Sequence, residues 1–188
     1  MILQSAVQLF GEKGYHATSI QDICDLAGVS KGALFHYFEN KNELLFEIHE
    51  TITDLQYEQS ERVINNNDMS ASEKLRALID IIVRVIVVEN RPYGMIIFQE
   101  FRNVTGYKSE IVIAKRDRLE AIVVSVIEQG IMSGEFRQDM DSKIFAKLFF
   151  SMCNGLYHWY KPEGSFGVEK MADTIWGFFV GGLRPSSL

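Results

Sequence analysis

The chain has 188 residues, with 19 Lys or Arg against 25 Asp or Glu, a formal net charge of −6. Hydrophobic residues make up 47% and charged residues 23%, which excludes a disordered or collagen-like chain and leaves ample material for a core. Two cysteines exclude a disulfide-stapled scaffold, and no apolar run reaches the ~18 uncharged residues of a membrane span. No secretory leader is visible, so a cytoplasmic protein in a reducing compartment is expected.

An apolar helical pattern runs from Ile2 to Phe10, without a capping residue before it. After the link Gly11 to Thr18, Ser19 is placed to cap a second helix whose inward face is Ile20, Ile23, Cys24 and Ala27. Gly28 tolerates the left-handed backbone that stops a helix sharply, Val29 plugs the corner, and Ser30 caps a third helix. Two short amphipathic helices around a Gly-Val-Ser turn read as a helix-turn-helix. In that motif the N-terminal residues of the second helix reach base edges while the first crosses the backbone. Lys31 is then the main candidate for a base or phosphate contact, Gly32 allows close backbone approach, and Ala33 can face a thymine methyl. His36, Tyr37 and Lys41 are candidates for following the phosphates, and Thr18 and Ser19 for donating at a helix N-terminus, with Ser30 beside them. Ala27, Val29, Leu34, Phe35 and Phe38 are expected to form the small core that fixes the two helices.

Asn40 is expected to cap a long helix to about Val63. Ser70 and Glu73 have the spacing of a capping box for a helix through Leu75, Leu78, Ile79, Ile82, Val83 and Ile86 to about Glu89. Asn90-Arg91-Pro92 breaks it before a helix over Tyr93 to Arg102. A turn at Thr105-Gly106 precedes a helix from about Ser109 to Ser133. Asp141 caps another through Trp159, and the last runs from Val168 to about Gly182. No convincing strand signal interrupts this order. The expected fold is all-α, about nine helices, divided into residues 1–46 as a three-helix DNA reader and 47–188 as a sensing and dimerisation domain.

The stretch from Leu9-Phe10-Gly11 through Gly14-Tyr15, Thr18-Ser19-Ile20, Ile23, Ala27-Gly28-Val29-Ser30, Gly32, Tyr37-Phe38 and Lys41 to Glu43-Leu44-Leu45 resembles the DNA-binding signature of TetR-family transcriptional regulators over about 45 residues. Two positions depart from it. Phe35 stands where the family usually has Tyr, and Cys24 where Ala is commoner. The resemblance implies a ligand-responsive regulator, most often a repressor released from double-stranded operator DNA, and a basic arm ahead of the first helix. It also implies a homodimer through a four-helix bundle of the last two helices. The abundance of apolar residues there (Ile144, Phe145, Leu148 and Phe149 in one, Ile175, Trp176, Phe178 and Phe179 in the other) agrees with that. Charge argues less cleanly. Residues 1–50 hold three lysines against seven carboxylates, whereas phosphate binding favours a basic footprint; the acids are expected to face away.

The family's pocket implies an apolar, Met-containing lining from Met95, Phe98, Phe101, Tyr107, Phe149, Met152, Tyr157 and Trp159, which suits a hydrophobic effector. Arg84, Gln99, Glu100, Arg102 and Asn154 are the polar candidates; an Arg84 or Arg102 pair with Glu100 competes with anion recognition by an arginine. Asn154-Gly155-Leu156-Tyr157-His158-Trp159-Tyr160-Lys161-Pro162-Glu163-Gly164 looks like a segment of TetR regulators of fatty-acid and steroid degradation, a subgroup that responds to acyl-coenzyme A. A drug-like or other lipophilic effector is the alternative. No cofactor or metal site is expected. The four scattered histidines come with no HExxH, G-x-S-x-G or P-loop, so an enzyme is not expected. An acyl-thioester-binding enzyme and a structural helical dimer without DNA binding are the readings of other classes.

Overall fold

A computed structural model of the chain describes residues 1–183. Its α-helices are α1 (Ile2–Lys13), α2 (Ile20–Ala27), α3 (Lys31–Tyr37), α4 (Lys41–Ile64), α5 (Ala71–Asp80), α6 (Arg91–Glu100), α7 (Tyr107–Ser133), α8 (Ser142–Trp159) and α9 (Val168–Leu183). No strand occurs among the described residues. None of their helices is long and apolar enough to cross a membrane.

Local chemistry sets most of the helix starts. The Ser19 hydroxyl accepts from the Asp22 N–H while the Asp22 carboxylate accepts from the Ser19 N–H, a reciprocal cap for α2. Ser70 and Glu73 do the same for α5. The Asp141 carboxylate takes the N–H groups of Lys143 and Ile144 at the start of α8. Pro92 lies in the first turn of α6, which begins at Arg91, two residues earlier than the break alone suggests.

The helix expected to continue to Glu89 changes character. Beyond Asp80, residues Ile81–Glu89 wind as a π-helix. This stretch is almost entirely β-branched, and stiff χ1 angles crowd the turns of an α-helix. Ile81, Ile82, Val83, Ile86 and Val87 are all buried in it. A short 3₁₀ turn, Phe101–Asn103, likewise ends α6 where a continuous helix is expected.

The chain forms two compact units. One comprises Met1–Asp54 with Asn90–Ala114, the other Leu55–Glu89 with Lys115–Leu188. In the first, α1 packs on α2 and on α6, and α2 on α3. Its core joins Phe10, Ile23, Cys24, Leu34, Leu44 and Ile48 to Ile96, Val104 and Val112. The reader's core therefore includes residues from well beyond position 46. In the second unit, α5, α8 and α9 pack against the π-helical stretch, and α8 against α9. Phe149 lies at its centre, fully buried, with the Phe150 and Phe179 rings edge-on to it. Gly130 makes a second packing point possible: a Cβ there would stand 2.2 Å from the buried Phe136 ring.

Candidate DNA-reading face

Gly28 ends α2 in the left-handed region at φ 67°, and its N–H caps back to the carbonyls of Asp25 and Cys24. The chain turns through Val29 into Ser30, whose hydroxyl accepts from the Ala33 N–H and starts α3. Cys24, Ala27 and Leu34 are buried at this corner. Within α3 only Leu34 is buried. Lys31, Gly32, Ala33, His36 and Tyr37 are all exposed, and the His36 and Tyr37 rings stand edge-on at 5.0 Å. A seven-residue helix anchored by one leucine presents nearly its whole circumference outward, which is the geometry of a helix that docks into something.

Phe35 belongs to that open face and not to the core as expected, with 49% of its surface exposed. Leu34 and Phe38, four residues apart, point inward together; Phe35 lies ~100° further round the helix. Helical spacing alone therefore places it beside His36 and Tyr37. It offers an apolar contact where a tyrosine would offer a hydroxyl.

Two residues assigned to the phosphate side spend their polar atoms inside the unit. Thr18 is buried, and its hydroxyl is bonded to the carbonyls of Gly14 (2.9 Å) and Leu9 (3.2 Å). The Lys41 ammonium donates to the carbonyls of Tyr15 and Thr18, both at 2.8 Å, and stands 4.4 Å from the centre of the Tyr15 ring. Burial lowers its pKa, an effect that the nearby Glu100 carboxylate opposes. Both residues hold the α1–α2 link in place. Ser19 and Ser30 are exposed, but each already caps its own helix.

The effector candidates are divided between the units. Met95, Phe98, Phe101 and Arg102 belong to the first, where Phe98 and Arg102 are exposed. Arg84, Phe149, Met152, Asn154, Tyr157 and Trp159 belong to the second. Arg84 pairs with Asp80 at 3.5 Å and Glu169 at 3.7 Å, not with Glu100. Glu100 instead accepts the Tyr15 N–H at 3.2 Å and an amide N–H of Asn103. Phe149 and Tyr157 face the core, whereas Trp159 is 57% exposed. Met152 and Trp159 line a cleft of about 440 Å³ between α8 and α9, together with Phe166, Lys170 and Phe178. Phe166 and Lys170 were not singled out from the sequence, and Phe178 only as one of the apolar residues of the last helix; its 74% exposure is what places it on the open side of α9. Cys24 and Cys153 are both buried free thiols, and burial pushes the Cys153 thiol up to about 12.

An all-helical chain with an open recognition helix on a helix-turn-helix corner is a helix-turn-helix transcriptional regulator. Residues 2–48 match the family model for bacterial regulatory proteins of the tetR family, and residues 68–183 the one for the tetracyclin repressor-like C-terminal domain. The chain belongs to the TetR family of transcriptional regulators. It is 25% identical to the HTH-type transcriptional repressor KstR2 of Mycolicibacterium smegmatis, over 98% of this chain and 90% of that one. The crystal structure of the TetR-family regulator PfmR from Thermus thermophilus superposes with a TM-score of 0.88 at 30% identity, covering 98% and 99% of the two chains. That of AibR in complex with isovaleryl coenzyme A and operator DNA gives 0.85 at 29% identity, covering 94% and 95%.

Proposed function

We propose that two copies of this chain join through the outer faces of α8 and α9 and read a two-fold operator with their α3 helices. In this reading Lys31, Gly32, Ala33, His36 and Tyr37 meet the DNA, and a long-chain or branched acyl-coenzyme A releases it. The carrying observation is the open α3 helix, anchored by Leu34 alone. Lys31 at its first turn reaches base edges or phosphate, and Phe35 meets a sugar or a thymine methyl. Ser19 and Ser30 flank the contact from the two helix N-termini.

The dimer face rests on a run of exposed apolar side chains along α8, Ile144, Leu148 and Trp159, beside the exposed Phe178 on α9. Exposed aromatic and aliphatic side chains at helical spacing cost free energy in water and suit a symmetric helix-on-helix contact. Two-fold symmetry then sets two recognition helices at half-sites about one DNA turn apart, ~34–36 Å. Met152 and Trp159 serve this face in our reading.

For the effector, the Asn154 to Gly164 segment and the isovaleryl coenzyme A bound to the AibR relative favour an acyl thioester over a drug-like compound. Within the second unit Phe149, Asn154 and Tyr157 are the candidates for contacting it; Met95, Phe98, Phe101 and Arg102 are the candidates within the first. Arg84 is committed to Asp80 and Glu169. The effector acts by binding the DNA-incompetent arrangement more tightly than the competent one, since equal affinity for both shifts nothing. Such a repressor works in the cytoplasm, where its operator is.

Native mass spectrometry of the purified protein, with and without acyl-coenzyme A of graded chain length, tests the reading. The expected result is a dimer that gains one acyl-coenzyme A per subunit and releases a selected operator duplex at the same concentrations. A dimer that binds the duplex and takes up no acyl-coenzyme A discards the effector and leaves the regulator. A chain that stays monomeric discards the α8–α9 face.

A further inference from the structure

The link from Gly14 to Thr18 sets the direction in which α2 leaves α1. It is tied from outside the helix-turn-helix. Glu100, the last residue of α6, accepts the Tyr15 N–H through Oε1 at 3.2 Å. Its Oε2 accepts from the Asn103 side-chain amide at 2.5 Å. The Asn103 side-chain carbonyl faces Nε2 of His16 at 3.0 Å, and its backbone carbonyl accepts from the Asn42 amide at 2.6 Å. Lys41 gathers the Tyr15 and Thr18 carbonyls from the other side, and the Glu100 charge reaches it. Backbone groups of the link are thus held by side chains from α4 and α6, and the His16 side chain by Asn103 in the turn after α6.

From this arrangement we infer that Glu100 and Asn103 are positioning residues for operator reading, acting through the α1–α2 link more than 80 residues away in sequence. The inference rests on the DNA-reading face proposed above. The contacts are polar and at best half-buried, where a hydrogen bond adds little net stability. Their effect is directional. The Tyr15 amide is four residues before Ser19, the cap of α2, and α2 carries α3 through Cys24, Ala27 and Leu34. A small rotation of the link therefore displaces the Lys31 end of α3 against the groove. Phosphate attraction tolerates that displacement; base-edge contact does not.

The polarity of the latch allows a test by exchange. Glu100→Gln sets an amide donor against the Asn103 amide donor, and Asn103→Asp sets two carboxylates together. The double variant E100Q/N103D restores one donor and one acceptor, keeps an acceptor for the Tyr15 N–H and for His16, and leaves the net charge unchanged. The full-length protein is titrated against a duplex selected from a random pool by the wild type, and against a scrambled duplex of equal length. Each single variant is expected to bind the selected duplex about tenfold more weakly, with scrambled-duplex affinity and thermal midpoint held near wild type. The double variant is expected to recover most of the loss. Single variants that bind like wild type, or a double variant as weak as the two losses combined, overturn the assignment. If a single variant does not fold, the milder Asn103→Ser cuts the same side-chain bonds and must weaken selected-duplex binding in the same direction. A wild type that selects no duplex at all overturns the reading face itself, a result distinct from either.

Discussion

The two compact units leave different chemistry on their open surfaces. In the first, the exposed residues of α3 are a lysine, a histidine, a tyrosine, a phenylalanine and small residues, around a single buried leucine. In the second, Ile144, Leu148, Trp159, Phe166 and Phe178 are exposed on α8, α9 and the loop between them. A polar, partly cationic face keeps its water until it meets a hydrated polyanion. An apolar face gains most from a dry contact with another apolar face. The internal bonding differs in the same sense. The first unit is trimmed by polar ties onto its α1–α2 link, whereas the second centres on the edge-on rings of Phe149, Phe150 and Phe179. A reader that must sit at one angle is held by directional bonds, and a platform that must simply persist is held by packing.

That contrast is open to attack at both ends. The largest effect is expected at Phe149→Ala, which empties the centre of the second unit and costs ~3–5 kcal/mol. Urea unfolding followed by circular dichroism reads it, and a loss below ~1 kcal/mol would show that the aromatic cluster is not what holds the unit. Next is Phe178→Glu. It is expected to weaken self-association roughly thirtyfold or more in analytical ultracentrifugation, while the thermal midpoint of the monomer is unchanged. An intact dimer would move the two-fold contact elsewhere. Lys31→Ala should lower operator affinity ~10–100-fold and leave self-association alone. Unchanged affinity in a mobility-shift titration removes the lysine from the contact. Ser30→Ala removes the α3 cap and is expected to cost ~1 kcal/mol, together with a loss of operator affinity from the frayed recognition helix.

The smallest effect is acid sensitivity of the first unit. A hydrogen bond from Lys108 holds the Glu43 carboxyl below its ordinary value of 4.5. A carboxylate depressed by folding contributes stability that is complete above its unfolded pKa and is lost as pH falls through the folded one. Glu43→Gln is therefore expected to flatten the decline in thermal midpoint between pH 5 and pH 3, with little change in slope above pH 6. A variant as acid-sensitive as the wild type would assign that decline to other carboxylates.

Much of the reader was legible in advance. Ser19, Gly28 and Ser30 marked the corner at the positions where they act, while the reciprocal contact of Asp22 emerged only in the structure. The open face was misjudged at Phe35, although the inward pair Leu34 and Phe38 already placed it outward. Thr18 and Lys41 were legible as reader residues but not in their roles, because carbonyl oxygens of a folded link have no signature in sequence. The C-terminal helices were legible as apolar, not as two-sided. Met152 and Trp159 carry the same hydrophobic signal as Phe149 and Tyr157, and only packing separates the cleft from the core.

By itself the sequence determined where helices start and stop, because a cap is a bargain among residues within one turn: Ser19 with Asp22, Ser70 with Glu73, Asp141 with Lys143 and Ile144. It also determined the family, through a dense local motif. Only the tertiary structure decided that Ile96, Val104 and Val112 complete the reader's core, that Arg84 answers to Glu169 as well as Asp80, and that Glu100 and Asn103 hold Tyr15 and His16. Those contacts join segments some 80 residues apart, so they depend on which faces bury together and not on any neighbour along the chain. The free energy of that burial belongs to the whole unit.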